Sequence, residues 1–232
     1  MMLGIIGAMS EEVANLKAEM EDVLVCSAAG MDFYQGTLRG KEVVVVRSGI
    51  GKVNAAICSQ LLVDQYHVTG IINTGIAGSL RNEINIGDIV LSKDTLQHDM
   101  DATGFVYPVG QIPQMDSSVF KGDDRMIEAA RECCAVVIPE IEVFVGRVVS
   151  GDQFISDKGK KAWLTETFDG YCTEMEGAAI AQTAYLNGIP FLIIRAISDK
   201  ADDSAIMSYE EFEAKAIEHS VKLVTALVEK LD

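Results

Sequence analysis

The 232-residue sequence predicts an α/β fold built on a largely parallel or mixed central sheet, and three observations carry that reading. Runs rich in Val and Ile recur along the chain, segments with helical periodicity lie between many of them, and the runs are continuously apolar rather than alternating. Strands of that last kind are expected where helices cover both faces of a sheet. The length suits one domain over residues 1–232, large enough to bury a sizeable core. No repeat, low-complexity tract or Pro/Gly-rich linker marks a boundary inside it.

Taken in order, Leu3–Gly7 reads as the first strand and Glu11–Met20 as the first helix, with Ser10 as a potential cap. Glu42–Arg47 is a second strand, followed by a helix over Val53–Tyr66 and a strand over Gly70–Thr74 that ends in a small-residue loop through Ser79. Asp88–Leu91 is again strand-like. From Gln97 to Gly122 the chain is aromatic, contains Gly and Pro and keeps no period, which marks a long loop of the sort that carries function. A helix over Asp124–Val136 places Cys133 and Cys134 at partly buried positions, and Val143–Val149, Gly177–Leu186 and Phe191–Ile197 supply strand, helix and strand. Ser208-Tyr209-Glu210-Glu211 has the spacing of a capping box, and the helix after it puts Phe212, Ala216, Val221, Val224, Val228 and Leu231 on about one face.

Composition narrows the partners. With 35 acidic against 19 basic residues, the net charge of −16 repels phosphate backbones and anionic membranes, so nucleic acid and membrane are not expected partners. No apolar run approaches the roughly 20 residues that span a bilayer. Met1-Met2-Leu3-Gly4 leads into a strand without a basic signal region, and the five cysteines form an odd set without metal-type pairing. Both features point to a cytoplasmic protein with reduced thiols.

The chemistry concentrates at three places. Thr173-Glu174-Met175-Glu176 sets two carboxylates around a methionine where an Ala-rich helix begins, and backbone N–H groups at a helix start keep such acids ionised. That combination holds hydroxyls or a developing cation. Arg195, Ser198 and Asp199 come at the C-terminal end of an apolar strand, and Glu11 and Glu12 follow the first strand. Glu12 and, less strongly, Glu174 and Glu176 also have a structural reading, since any carboxylate in a first helical turn complements the dipole, whereas Asp199 at the end of a buried strand is harder to dismiss. The glycine segments exclude two familiar sites. Gly49-Ile50-Gly51-Lys52 lacks the first Gly and the Ser/Thr of a P-loop, and Gly4-Ile5-Ile6-Gly7 lacks the spacing of a dinucleotide turn. Together with the 73–79 segment they outline a small-ligand crevice at the C-terminal ends of strands. His98, Asp99 and Asp101 have no second ligand cluster, so no metal is expected; nor is a cofactor.

In order and spacing, several blocks resemble the 5′-methylthioadenosine/S-adenosylhomocysteine nucleosidases of the purine nucleoside phosphorylase and nucleosidase superfamily. They are Gly4–Met9 with Glu11 and Glu12, Ser48–Ala56, Asn73-Thr74-Gly75, His98-Asp99 with Phe105, Tyr107 and Gly110–Pro113, Val149–Asp152 with Phe154 and Ile155, Glu174–Glu176, and Arg195–Asp199. The resemblance implies a three-layer α-β-α sandwich with a mixed central sheet, nucleoside phosphorylase-like, and hydrolysis of an N-glycosidic bond to adenine and a 5-thioribose. It implies Asp199 as general acid positioned by Ser198, Glu12 as the base that activates water, and Glu176 against the ribose hydroxyls and the cation. Met175 would lie against the sugar, Arg195 would hold acidic side chains such as Glu174, Phe154 would stack on adenine, and the Ile155 backbone would read its edge. Met9, Ile50, Ile76 and Tyr209 would line the rest of the pocket, with Ile76 where the family often has a hydroxyl, Ser79 where it often has a glycine and Tyr209 where it often has a phenylalanine. A homodimer is implied, in which Phe105, Tyr107 and Pro113 of one copy close the 5′-thio end of the other's site. A purine nucleoside phosphorylase and a non-catalytic nucleoside-binding protein are the alternatives. The first needs cations for phosphate, and the second should lack Glu12 or Asp199.

Overall fold

The computed structural model of the chain describes residues 2–202 and 205–231, with the side chains of 205–211 outside the description. Ten strands form one mixed sheet: β1 (Leu3–Gly7), β2 (Glu21–Ala28), β3 (Met31–Leu38), β4 (Lys41–Arg47), β5 (Gly70–Ser79), β6 (Ile89–Gln97), β7 (Phe120–Lys121), β8 (Val143–Ser150), β9 (Cys172–Glu174) and β10 (Phe191–Asp199). Six helices accompany them: α1 (Ser10–Ala18), α2 (Lys52–Tyr66), α3 (Asp124–Val137), α4 (Lys158–Phe168), α5 (Gly177–Leu186) and α6 (Ala205–Lys230).

Successive residues of a strand face opposite sides, so a continuously apolar strand feeds two cores. Ile5, Val43, Val45, Ile72, Leu192 and Ile194 point to a core completed by α1, α3 and α6. Their neighbours Ile6, Val44, Val46, Ile71 and Ile193 point to the other core, where Ala55, Cys58 and Leu62 of α2 meet Ala181 and Ala184 of α5. The result is helix, sheet, helix: the three layers of a nucleoside phosphorylase-like sandwich. Burying each of these Ile or Leu side chains contributes about 1.5–3 kcal/mol.

The sheet runs β10-β6-β8-β9-β5-β1-β4-β3-β2, and β10 pairs with β5 as well as with β6. The path β5, β10, β6, β8, β9 therefore returns to β5. β5 is parallel to β1 and to β10 and antiparallel to β9, so the strand ends that carry residues 7–8, 77–79, 150, 173–174 and 198–199 gather at one end of this closed portion.

Several sequence expectations are corrected. The segment from Asn73 to Ser79 is strand, not loop. Its Gly75 is required because a Cβ there would collide with Arg195 and lie 2.6 Å from Glu12 Oε1. Ser10 does not cap α1; Met9 is the N-cap and Ser10 the first helical residue. The closing helix starts at Ala205, ahead of Ser208, so the proposed capping box lies inside it. Cys133 and Cys134 are fully buried, because α3 turns them toward α6. The hairpins β2–β3 and β3–β4, the helix α4 and the short strands β7 and β9 gave no signal that was read from sequence. Both hairpin turns put two residues at positive φ (Ala29 and Gly30, Arg39 and Gly40), the geometry of a tight two-residue turn, but without the usual Asn-Gly signature.

Candidate active site

A cavity of about 390 Å³ opens where those strand ends gather. Glu12, Glu176, Asp199, Phe154, Ile155 and Met175 line it, along with Met9, Ile50, Ile76, Glu174 and Ser198. Among its described lining residues none is a lysine or arginine.

Glu12 comes from the first turn of α1, yet its carboxylate turns back across the helix start. Oε2 accepts the N–H groups of Ala8 (2.7 Å) and Met9 (2.9 Å), and Oε1 accepts that of Ile76 on β5 (3.2 Å). It is buried, and burial pushes its pKa up against the opposing pull of Arg195 and those three N–H groups. Asp199 ends β10. Oδ2 accepts the Ser198 hydroxyl (2.9 Å) and Oδ1 the Ala201 N–H (2.7 Å), and burial again raises its pKa. β5 runs past both acids, with Ile76 beside Glu12 and Gly78 beside Asp199, two residues or about 7 Å further along the strand.

The Glu174-Met175-Glu176 motif divides its labour. Glu174 closes β9 instead of sitting inside the helix, and its Oε2 accepts the N–H groups of Glu176 (3.1 Å) and Gly177 (2.8 Å), capping α5. The same carboxylate takes hydrogen bonds from the Ser150 hydroxyl and the Arg195 guanidinium. Glu176 is the N-cap residue of α5; its Oε1 accepts the Gly51 N–H (2.8 Å), and Arg195 Nη2 lies 3.8 Å from Oε2. Burial, reinforced by the Glu174 charge, lifts its pKa to about 7. Arg195 is 1% exposed, and its Nη2 also donates to Asn73, so one buried cation faces Glu174 and Glu176 directly and draws on the field of Glu12. It holds the acids in place without itself lining the cavity.

Phe154, half exposed, Ile155 and Gln153 form a wall from the loop after β8, and Met9, Ile50 and Met175 add apolar surface. Of the other residues singled out in the sequence, Phe105, Tyr107 and Pro113 lie outside this cavity in the isolated chain, on the excursion between β6 and β7. Phe105 is 81% and Val106 93% exposed. The Tyr209 side chain falls outside the described residues. Sequence reasoning gave no role to Ser150, Asn73 or the Gly51 N–H. The available signals were a hydroxyl closing an apolar strand and an asparagine inside one. Among the described residues no group of three or more His, Cys, Asp or Glu side chains is disposed to hold a metal ion, and no helix is long and apolar enough to cross a membrane.

A buried, arginine-braced set of carboxylates around an apolar cavity, on this sheet, defines a protein of the nucleoside phosphorylase type. The sequence profile of the phosphorylase superfamily matches residues 2–229. A 5′-methylthioadenosine/S-adenosylhomocysteine nucleosidase of Staphylococcus aureus (strain JH9) is 44% identical over 231 residues, covering 99% of this chain and all of the relative. The crystal structure of the Neisseria meningitidis enzyme of that name, in complex with methylthio-immucillin-A, superposes with a TM-score of 0.95 at 39% identity over 99% of both chains. The futalosine hydrolase of Helicobacter pylori strain 26695 superposes with a TM-score of 0.93 at 32% identity, over 99% of this chain and 98% of that one. The chain belongs to the 5′-methylthioadenosine/S-adenosylhomocysteine nucleosidase family of the phosphorylase superfamily.

Proposed function

We propose that this protein hydrolyses the N-glycosidic bond of 5′-methylthioadenosine and S-adenosylhomocysteine, releasing adenine and the matching 5-thioribose. The observation that carries the reading is the trio Glu12, Glu176 and Asp199, three buried carboxylates with raised pKa values facing one cavity. Adenine leaves poorly unless it is protonated, and the sugar turns oxocarbenium-like as the bond breaks, so the reaction needs an acid, an anion near the ribose and a base for water. Asp199, its rotamer fixed by Ser198 and Ala201, gives its proton to the five-membered ring of the purine as the C–N bond breaks. Glu176, in its ionised form, accepts from the ribose hydroxyls and stabilises the positive charge at the anomeric carbon. Glu12 removes a proton from the water that adds there. Phe154 stacks on the base, the Ile155 backbone reads its edge, and Met9, Met175, Ile50 and Ile76 surround the sugar and the 5′ substituent. Glu174 and Arg195 act behind this layer, with the carboxylate of Glu174 already bound to Ser150, Arg195 and the start of α5.

Water rather than phosphate is the acceptor. A phosphate dianion needs cations or a free helix start, and here Glu12 occupies the start of α1 while no lysine or arginine among the described residues lines the cavity. The test is adenine release from a panel of 5′-substituted adenosines in phosphate-free buffer, with the sugar product identified. Turnover independent of phosphate is expected. A ribose 1-phosphate that scales with added phosphate would overturn the hydrolase reading in favour of a phosphorylase.

The working form is a cytoplasmic homodimer. Ile50 at the cavity, Val53 and Ile57 just after it on α2, and Phe105 and Val106 on the β6–β7 excursion leave large apolar surface bare, with Ile50 54%, Val53 70% and Ile57 42% exposed. A second copy covers it, and Phe105, Tyr107 and Pro113 of that copy wall the 5′-thio end. Replacing Phe105 by Ala should raise the Michaelis constant for methylthioadenosine several-fold, of the order expected for losing one aromatic contact, about 1 kcal/mol or more. A fully active monomer in sedimentation at the assay concentration would refute the dimer.

A further inference from the structure

Three chain segments far apart in sequence meet beside the cavity, and a closed ring of polar contacts joins them. The Lys52 N–H at the start of α2 donates to Asp152 Oδ1 (2.8 Å) in the loop after β8. The Asp152 N–H donates to Asp99 Oδ2 (3.0 Å) just past the end of β6. Lys52 Nζ closes the ring on Asp99 Oδ1 (2.6 Å) and also donates to Gln97 Oε1 (2.9 Å). The Lys52 and Asp99 side chains are only 18% and 16% exposed, so this ion pair is screened by solvent far less than a surface pair.

Each corner of the ring adjoins something the cavity needs. Gly51, next to Lys52, is the residue whose N–H holds Glu176. It sits at φ +97°, and a Cβ there would come within 3.1 Å of Asp152 Oδ1, so glycine is what lets the two segments dock. Phe154 and Ile155 follow Asp152 by two and three residues. Asp99 opens the excursion that carries Phe105. A second feature fixes the same loop: the buried His98 ring lies against Gly151, too close for any Cβ at that position, while the Gly151 N–H donates to the Glu174 carbonyl (3.1 Å). Both ring nitrogens of His98 lack a hydrogen-bond partner among the described residues, so the imidazole serves there as a neutral wedge. By contrast, the contacts that hold Glu12 and Asp199 come from residues 8, 9, 76, 198 and 201, none of which belongs to the ring.

We infer that Lys52, Asp99 and Asp152 form a positioning clasp that sets the base-stacking wall at Phe154–Ile155 against the ribose side of the cavity at Gly51. The inference rests on the proposed nucleosidase reading and concerns mainly the binding of base and ribose; the Gly51 N–H link to Glu176 is the path by which it reaches the chemical step. None of the three side chains lines the cavity, so their effect passes through the backbone of the two segments they join.

The test compares Asp99→Ala, Lys52→Met and the double variant with the wild-type chain, measuring kcat and KM for methylthioadenosine, adenine binding by calorimetry and local amide hydrogen exchange. Opening the ring should raise KM and weaken adenine binding about 10-fold or more, since sub-ångström misplacement of a binding wall is costly, while kcat falls by less than about 5-fold. Both substitutions remove the same Lys52–Asp99 ion pair and leave the Lys52 N–H on Asp152, so the double variant should match the worse single variant rather than the product of the two. Lys52→Arg, which keeps the charge, should recover most of the affinity and guards against simple misfolding. Exchange should quicken together at 50–53 and 151–155 and stay unchanged at 8–13 and 196–199. Equal losses in kcat and kcat/KM, additive single effects, or exchange that quickens at one segment alone would overturn the clasp. A wild-type chain that binds no adenine would instead overturn the nucleosidase reading, and the exchange pattern would still decide whether the clasp exists.

Discussion

Asp199→Asn and Glu12→Gln should each lower adenine release by about 10²–10⁴-fold, the usual worth of a general acid or base, or roughly 3–5 kcal/mol of barrier. The fold should survive both changes. At position 199 the amide oxygen can keep the Ala201 N–H, and the amide N–H₂ can donate to the Ser198 hydroxyl, which then accepts instead of donating. At position 12 the amide oxygen keeps the Ala8 and Met9 N–H groups, and only the longer contact to the Ile76 N–H is lost. The pH dependence separates the two roles. Burial raises the pKa of both carboxylates above the ordinary carboxylate value. A base must be deprotonated, so Glu12 contributes to the acidic limb of the kcat/KM profile alongside Glu176, which acts ionised. An acid must be protonated, so Asp199 sets the alkaline limb. Residual activity of Asp199→Asn should therefore lose the alkaline limb, while Glu12→Gln should keep the acidic limb that Glu176 sets. Near-native turnover in Glu12→Gln with unchanged substrate affinity would remove Glu12 from the role of base.

What was legible in the sequence and what was not follow from the same physics. The strands Leu3–Gly7 and Phe191–Asp199 announce themselves because burial on both faces demands an unbroken apolar run, and the helix Gly177–Leu186 because Ala dominates it. β2 announces nothing: it is an edge strand whose residues are almost all exposed, so neither core imposes a pattern on it. β5 misled for the opposite reason. Its residues from Gly75 to Ser79 look like a loop, but Gly75 is glycine because Arg195 and Glu12 press against it, and Gly78 because Ala201 and Asp199 do. The acids could be picked out as residue types at strand ends and helix starts. Their partners could not, because Ser150, Asn73 and the Gly51 N–H acquire meaning only once β8, β5 and the start of α2 are brought beside β9. The excursion from 97 to 122 was recognisable as irregular, and its exposed Phe105 and Val106 follow from that, since neither has a core to enter within one chain.

Glu176→Gln should cost at least about 10²-fold in turnover, as expected for removing a charge aimed at the developing cation, and should at the same time stabilise the ligand-free protein above pH 7. The second half follows from its environment. In an unfolded chain a glutamate titrates near 4.3. In the folded protein burial and the neighbouring Glu174 raise Glu176 to about 7. A carboxylate whose folded pKa lies above its unfolded value favours the fold fully below the unfolded pKa, and that favour is lost as pH rises through the folded one. Over the window from about 4.5 to 7 the wild-type protein should therefore lose stability with rising pH, by on the order of 2–3 kcal/mol from this group alone. Glu12 and Asp199, both raised, add to the slope in the same direction. Glutamine keeps an oxygen for the Gly51 N–H and has no charge to bury, so in the variant this group's share of the slope disappears. Thermal melts at pH 8 should then place Glu176→Gln roughly 5 °C above the wild type, with the gap closing toward pH 5. Melting curves that shift equally at both pH values, or a variant less stable at pH 8, would mean that Glu176 is not strained by its charge. The expected outcome ties the stability cost to the site itself: the ionised carboxylate that the free protein tolerates poorly is the one that a cationic ribose would neutralise, so the strain is relieved as the glycosidic bond breaks.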